Sequence, residues 1–210
     1  MRRVRLVLVR HAESLWNAAG IFQGHEGPGL TERGHAQARA TAKALGNAYA
    51  DATLIARSDL IRVVETAAPT ERQLALPVHV DQRLRELDVG SWAGKTHAQI
   101  RADDPAAAAA WGRGVDVTRG GGESFADLRR RAWAALCEVA ERAGEGSALV
   151  FTHGGPIRVG VAAALSVPPG REQSLGSVAN CSLTVLERHD RDMVLVAYNR
   201  VGHLSATGLE

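Results

Sequence analysis

Short apolar runs alternate along this chain with helical patterns, and that alternation points to a largely parallel sheet covered on both faces. The runs are "VRLVLV" at 4–9, "ATLIARS" at 52–58, the weaker "PVHVDQRL" at 77–84 and "SALVFT" at 147–152. Between them, Thr31 suits the N-cap of a helix "ERGHAQARATAKALG" that Gly46 closes. A second helix is expected from Asp59 to Leu74, a long amphipathic one from Ser124 to Ala143, and an apolar one at 156–165. The segments "NCSLTVLER" and "DMVLVAYN" read as a hairpin about the charged turn "HDRD". The expected fold is α/β, a three-layer α/β/α sandwich whose mostly parallel central sheet carries one antiparallel edge strand.

Residues 88–123 interrupt the alternation. They hold "DVGSWAGKT", short helices around "HAQIRA" and "PAAAAAWG", and the Gly-rich "RGGGES". The chain of 210 residues is expected to form a single domain, 1–210, with 88–123 as an insertion capping one end of the sheet.

A formal charge of +2 is too mild to imply nucleic acid, and no apolar run is long enough to cross a bilayer. The basic and apolar start "MRRVRLVLVRHAES" lacks the length and cleavage site of a signal peptide, which favours the cytoplasm. Cys137 and Cys181 lie far apart in apolar-patterned segments and read as reduced, buried thiols, with no disulfide or metal site. Nearly all basic residues are Arg, so each must be judged by position; Arg129, Arg130 and Arg131 on a helical pattern read as a solvated face. Trp92 and Trp111 read as packing residues, His25 as a candidate for the mouth of a site, and His203 as a fastener of the C-terminal segment.

Two of the core strands end in histidine, at His11 and His153. Ligands of parallel α/β sheets bind beyond the carboxyl ends of the strands, where helix N-termini also point. If the two strands are neighbours, both imidazoles face one spot. Gly154 and Gly155 permit close backbone approach, and Pro156 suits a first helical position, so free amides face the same place. Arg62, about one helical turn beyond the second strand, reaches the same rim as Arg10. Two like charges ~4 Å apart at an effective dielectric of ~20 repel by roughly 4 kcal/mol, so such a cluster implies a multivalent anion. Glu86, just past the third strand, adds a carboxylate that can serve as acid or base.

The motifs "RHAE" at 10–13 with Asn17, "QG" at 23–24, "LTERG" at 30–34, "SDLIRVVETA" at 58–67, "LRELDVGSWAG" at 84–94, "GGES" at 121–124 and "THGGPIR" at 152–158 occur in one order. That ordered set resembles the histidine phosphatase superfamily, in the branch that holds cofactor-dependent phosphoglycerate mutases and many phosphatases. The resemblance covers nearly the whole chain, and "YNRVGHL" at 198–204 is similar to the end of phosphatase members. Ala12 replaces a usual Gly, Ala93 stands where an acidic residue is common, and Gly29 is an extra residue in its loop.

The resemblance implies hydrolysis of a small phosphomonoester through a phosphohistidine, with no cofactor and no metal. His11 would be the nucleophile, Arg10, Arg62 and His153 would hold the phosphoryl oxygens, and Glu86 would give and take the proton. Asn17, Gln23 and the Gly154 amide would bind the transferred group. Phosphosugars and phosphorylated sugar acids, glucosyl-3-phosphoglycerate among them, are the implied substrates. Phosphoglycerate mutase is the second reading: the mutases carry a longer Arg- and Pro-rich insertion, whereas residues 95–124 are short, Ala-rich and poor in cations. A non-catalytic phospholigand-binding protein is the third. Neither nucleic acid nor membrane is an expected partner; the strand at 192–198 could join a homodimer.

Overall fold

In the computed structural model, which describes residues 3–190, 192–205 and 207–210, the apolar runs meet in one sheet. Its strands are β1 (Arg3–Arg10), β2 (Ala52–Arg57), β3 (Val78–Val80), β4 (Gly146–Thr152), β5 (Leu183–His189) and β6 (Asp192–Arg200), in the order β3-β2-β4-β1-β5-β6. Strands β1 to β4 run parallel, and β5 pairs antiparallel with both β1 and β6. The strand of opposite sense is thus β5, with β6 outside it. Eight helices accompany the sheet among the described residues: α1 (Leu15–Ala18), α2 (Glu32–Ala48), α3 (Ile61–Leu74), α4 (His97–Asp103), α5 (Pro105–Gly112), α6 (Phe125–Ala143), α7 (Gly154–Ala164) and α8 (Gly202–Ser205).

The period of two along a strand sorts the core into two halves. Leu6 and Leu8 of β1 and Val150 of β4 pack with Leu136 and Val139 of α6 and Ile157 and Val161 of α7. Val7 and Val9, with Leu149 and Phe151, face the opposite side, against Leu45 of α2 and Val63 and Ala67 of α3. Full burial of each such side chain contributes about 1.5–3 kcal/mol, which fixes the strand register because a slip by one residue would exchange the two faces.

Several boundaries differ from the sequence expectation. The third strand stops at Val80, because the Asp81 carboxylate accepts the Arg83 amide and starts a 3-10 turn over Gln82–Leu84. The helix capped by Thr31 continues through Gly46 to Ala48, and Gly46 faces Gln73 of α3. Helix α3 begins at Ile61 rather than Asp59, whose carboxylate is paired with Arg85. Cys181 is buried, with its thiol pushed up to about 12 by burial, whereas Cys137 is only half-buried; both are free.

Residues 88–123 carry α4 and α5 and pack onto the ends of α6 and α7. Trp92, 1% exposed, lies among Ile100, Ala108, Phe125, Leu128 and Val159, and its indole nitrogen donates to Asp104 Oδ2 at 3.3 Å. Phe22 meets both Trp92 and Trp111 edge-on, at centroid separations of 6.1 and 5.5 Å. No helix among the described residues is long and apolar enough to cross a membrane.

Candidate active site

The parallel register of β1 and β4 sets Arg10 opposite Thr152, so the next residues of each chain segment, His11 and His153, leave the sheet side by side. Their rings meet edge to face with centroids 5.2 Å apart and planes inclined at 62°. The His11 amide donates to the Thr152 carbonyl at 2.9 Å, and Asn180 Nδ2 donates to the His11 carbonyl at 2.9 Å. His11 Nδ1 lies 2.8 Å from the Ala12 carbonyl, an acceptor, which assigns the proton to Nδ1 and leaves the lone pair on Nε2. Burial, then Arg10 and Arg62, hold the His11 pKa well below the usual histidine value. Burial, then Arg62, His11 and Arg10, lower His153 in the same way. Both imidazoles are therefore neutral at physiological pH.

Arg10 Nη1 donates to the Val178 carbonyl, and Arg62 donates to the carbonyls of Glu26 (2.9 Å) and Gly24 (2.6 Å). Backbone oxygens thus anchor both guanidinium groups without neutralising them. Burial lowers the pKa of each, that of Arg62 to about 10, and both stay charged near neutrality. Among the described residues, the buried side-chain atoms without a hydrogen-bond partner include Nε of Arg10, Nε of Arg62, Nδ1 of His153 and Nε of Arg158. An unsatisfied buried donor costs about 1–3 kcal/mol, and here such donors are gathered around one cavity. Among the described residues no group of three or more His, Cys, Asp and Glu side chains is placed to hold a metal ion.

Glu86 lines the same cavity, and its charge favours the charged forms of Arg10 and Arg62. Its Oε1 accepts the Leu87 amide at 2.8 Å, and both oxygens accept the Gly155 amide, at 3.1 and 3.2 Å. Position 155 must be glycine for this contact: a Cβ there would stand 2.0 Å from Glu86 Oε1. Thr152 Oγ1 further ties the tip of β4 to the Leu84 carbonyl at 2.6 Å.

The Arg129–Arg131 triplet is not a solvated face. Arg131 donates from Nη1 to the carbonyls of Arg83 (2.8 Å) and Arg85 (2.7 Å), and from Nη2 to that of Glu86 (2.7 Å). Its Nε and Nη2 also meet both oxygens of Glu123, at 2.7 and 2.6 Å, and Glu123 accepts the Asp88 amide at 2.9 Å. Burial pushes the Glu123 carboxyl up, but the Arg131 hydrogen bonds and charge together with the Asp88 amide outweigh it and leave the group below the usual carboxylate range. This pair clamps the backbone on either side of Glu86. Arg129 bonds to Glu172 and the Val167 carbonyl, so only Arg130 is strongly exposed. Helical spacing named the face of each arginine but could not show that "GGES" folds back onto it. His25 also lies behind Glu86 rather than at a mouth: its Nε2 donates to the Glu86 carbonyl at 2.9 Å. His203 contacts Thr41 of α2 at 3.1 Å, fastening the C-terminal segment.

A cavity of about 360 Å³ lies over these groups, lined by Arg10, His11, Asn17, Gln23, Arg62, Glu86 and Gly154. His153 is fully buried behind its wall, with Nε2 3.1 Å from Ser58 Oγ. Asn17 Oδ1 accepts from the Ser14 amide and from Asn180 Nδ2, which turns its own Nδ2 outward as the remaining donor. Gln23 Oε1 accepts from Ser14 Oγ at 2.8 Å. The structure thus brings Arg10, His11, Asn17, Gln23, Arg62, Glu86 and Gly154 to one cavity, with His153 directly behind His11 rather than in its lining. Sequence reasoning missed Arg119, Arg158, Phe22 and His97, which also line the cavity. Arg158 carried a signal: it stands four residues after Gly154, on the same face of α7.

A profile of the histidine phosphatase superfamily (branch 1) matches residues 6–201. The chain is 38% identical over 197 residues to a glucosyl-3-phosphoglycerate phosphatase of Mycobacterium tuberculosis, covering 90% of this chain and 87% of that one. It is 34% identical over 202 residues to phosphoserine phosphatase 1 of Hydrogenobacter thermophilus, covering 96% and 94%. Among solved structures, mycobacterial glucosyl-3-phosphoglycerate phosphatase in its native form superposes with a TM-score of 0.85 at 34% identity, covering 95% of this chain and 100% of that one.

Proposed function

The chain belongs to branch 1 of the histidine phosphatase superfamily, and we propose that it hydrolyses a small phosphorylated metabolite through a phosphohistidine on His11. The observation that carries this reading is a neutral His11, its proton committed to the Ala12 carbonyl, beside two guanidinium groups held by backbone carbonyls and ion-paired to no carboxylate among the described residues. In the first step the Nε2 lone pair attacks phosphorus, the P–O ester bond breaks, and the Glu86 carboxyl passes a proton to the leaving oxygen. Water then attacks phosphorus, the P–N bond breaks, and the Glu86 carboxylate takes the proton, restoring both residues. Arg10 and Arg62 neutralise the equatorial oxygens, which is the main requirement of phosphoryl transfer. With Ser58 on Nε2, His153 has Nδ1 left to donate to the same group. Asn17, Gln23 and the Gly154 amide are assigned to the transferred phosphoryl, and 88–123 to a cap over it.

The substrate reading is a phosphosugar or phosphorylated sugar acid, with glucosyl-3-phosphoglycerate first, supported by the 38% identical relative of that activity. We place the protein in the cytoplasm, on its two free thiols, and read a homodimer along the outer edge of β6, where Val194 and Val196 are exposed. Light scattering that reports a monomer removes the dimer.

Phosphate release from p-nitrophenyl phosphate in the presence of a chelator tests the reaction. Acid-labile phosphate should form on the protein, and His11→Ala should lower turnover by at least about 10⁴-fold. Activity that survives His11→Ala overturns the assignment. Conversion of 3-phosphoglycerate to its 2-isomer with a bisphosphoglycerate primer would make the protein a mutase instead.

A further inference from the structure

The phosphoryl site uses Arg10 and Arg62, yet the same cavity holds two more guanidinium groups. Arg158 reaches it from α7, hydrogen-bonded to Tyr198 and with a buried Nε that has no partner. Arg119 reaches it from the cap and lies over two rings, 4.5 Å from the centroid of Phe125 and 5.3 Å from that of Trp111. Stacking of this kind covers the faces of a guanidinium and leaves its N–H edge free.

Among the described residues neither group forms an ion pair, although the charges of Glu86 and Asp116 favour the charged form of Arg119. The Asp116 carboxylate beside Arg119 is committed to the amides of Phe125 and Ala126, at 2.7 and 3.0 Å. The Glu86 carboxylate is committed to the amides of Leu87 and Gly155. Burial lowers the pKa of Arg119 to about 10, opposed by the Glu86 charge and assisted by repulsion from Arg158, which also repels Arg10. Arg10, Arg158 and Arg119 thus line one cavity, and Arg119 and Arg158 also line a second. That second cavity, of about 360 Å³, is walled further by Trp111, Gln173 and Ser177.

We propose that Arg119 and Arg158 form a carboxylate subsite beside the phosphoryl site, selecting phosphomonoesters whose leaving group is an acid. The planar fork of a guanidinium edge matches the two oxygens of a carboxylate, and the second cavity takes whatever the acid carries. The proposal rests on the phosphatase reading for its geometry of use, but its test does not require turnover.

O-phosphoserine and O-phosphoethanolamine differ by one carboxylate. Their dissociation constants on His11→Ala, measured by calorimetry, should differ by about 10- to 100-fold in favour of O-phosphoserine, the range of charge-assisted hydrogen bonds. Arg119→Gln and Arg158→Gln, each added to that background, should cut the ratio about tenfold, and Arg119→Lys should restore part of it. In the chain with His11 intact, the ratio of kcat/KM for the two esters should fall in the same variants. A general packing defect would weaken both esters alike and leave the ratio unchanged. A ratio near one with both esters bound removes the subsite and leaves the hydrolase reading standing. A preserved ratio without hydrolysis removes the hydrolase reading and leaves the subsite. Binding of neither ester removes both, and a ratio untouched by both arginine substitutions removes their assignment.

Discussion

His11 and His153 stand edge to face at the tips of two paired strands, and among the described residues neither ring has an acidic hydrogen-bond partner. Sheet register alone brings them together. Burial keeps both neutral, and Arg10 and Arg62 oppose any proton that would add a third positive charge.

That pair should make stability fall in mild acid. Both folded pKa values are depressed, whereas unfolded histidine titrates near 6.5, so below that pH the unfolded chain binds more protons than the folded one. The contribution is fully present above 6.5 and is lost as pH falls toward the folded values. Two such groups give a slope of up to about 2.7 kcal/mol per pH unit. Thermal unfolding followed from pH 7.5 to pH 5 should show this decline, and His153→Gln should reduce it by about half. A Tm that is flat across that interval contradicts the account.

Glu86→Gln should lower kcat by about 10²–10⁴ for alkyl phosphates, whose leaving oxygen needs a proton. With p-nitrophenyl phosphate the loss should be smaller. Gly155→Ala should reproduce the pattern without touching the carboxylate chemically, because the new methyl group displaces Glu86 Oε1. Equal losses for both leaving groups would take Glu86 out of proton transfer.

Arg131→Met should act through Glu86 as well. It leaves the Arg83 and Arg85 carbonyls without this donor and takes one donor residue from the Glu86 carbonyl and from the Glu123 carboxylate, at a cost of about 2–3 kcal/mol. Its kinetic mark is a shift toward the leaving-group dependence of Glu86→Gln, and Arg131→Lys should rescue little because an ammonium cannot span five acceptors as a fork does. Arg130→Met, at the exposed member of the triplet, should stay within about 0.5 kcal/mol of the parent in denaturant unfolding. Normal leaving-group dependence in Arg131→Met would reduce the clamp to a purely structural feature.

Leu8→Ala should cost about 2–5 kcal/mol, since Leu8 is fully buried against α6 and α7. Val196→Ala on the exposed face of β6 should fall within about 0.5 kcal/mol. Urea midpoints compared at constant m-value would check both, and similar costs at the two positions would contradict the layer assignment.

The strand-end histidines were legible because strand pairing is local in register: once β1 and β4 are neighbours, both rings must emerge together. Glu86 and Arg62 were legible as members of an ordered motif set. Three features were not. The short β3 depends on Asp81 preferring a backbone amide to strand extension. The buried role of Arg131 depends on Glu123 returning across the helix start, which no periodicity encodes. Arg119 lies in the Gly-rich tract of 88–123, where composition suggests looseness, and its direction is set by the rings of Trp111 and Phe125, which no helical or strand spacing brings to it.

Reversal of β5 has an effect that reaches past the sheet. A parallel strand can offer a ligand only the connection that leaves its far end, and each such connection must also start a crossover helix. Strand β5 instead enters the sheet beside the tip of β1, so the stretch preceding it, with Ser177 and Val178, crosses the rim and Cys181 bonds the Arg10 carbonyl. This gives the molecule one wall free of helix-launching duty, a place where evolution or an engineer can lengthen, shorten or retype the rim while the sheet and its crossovers stay as they are.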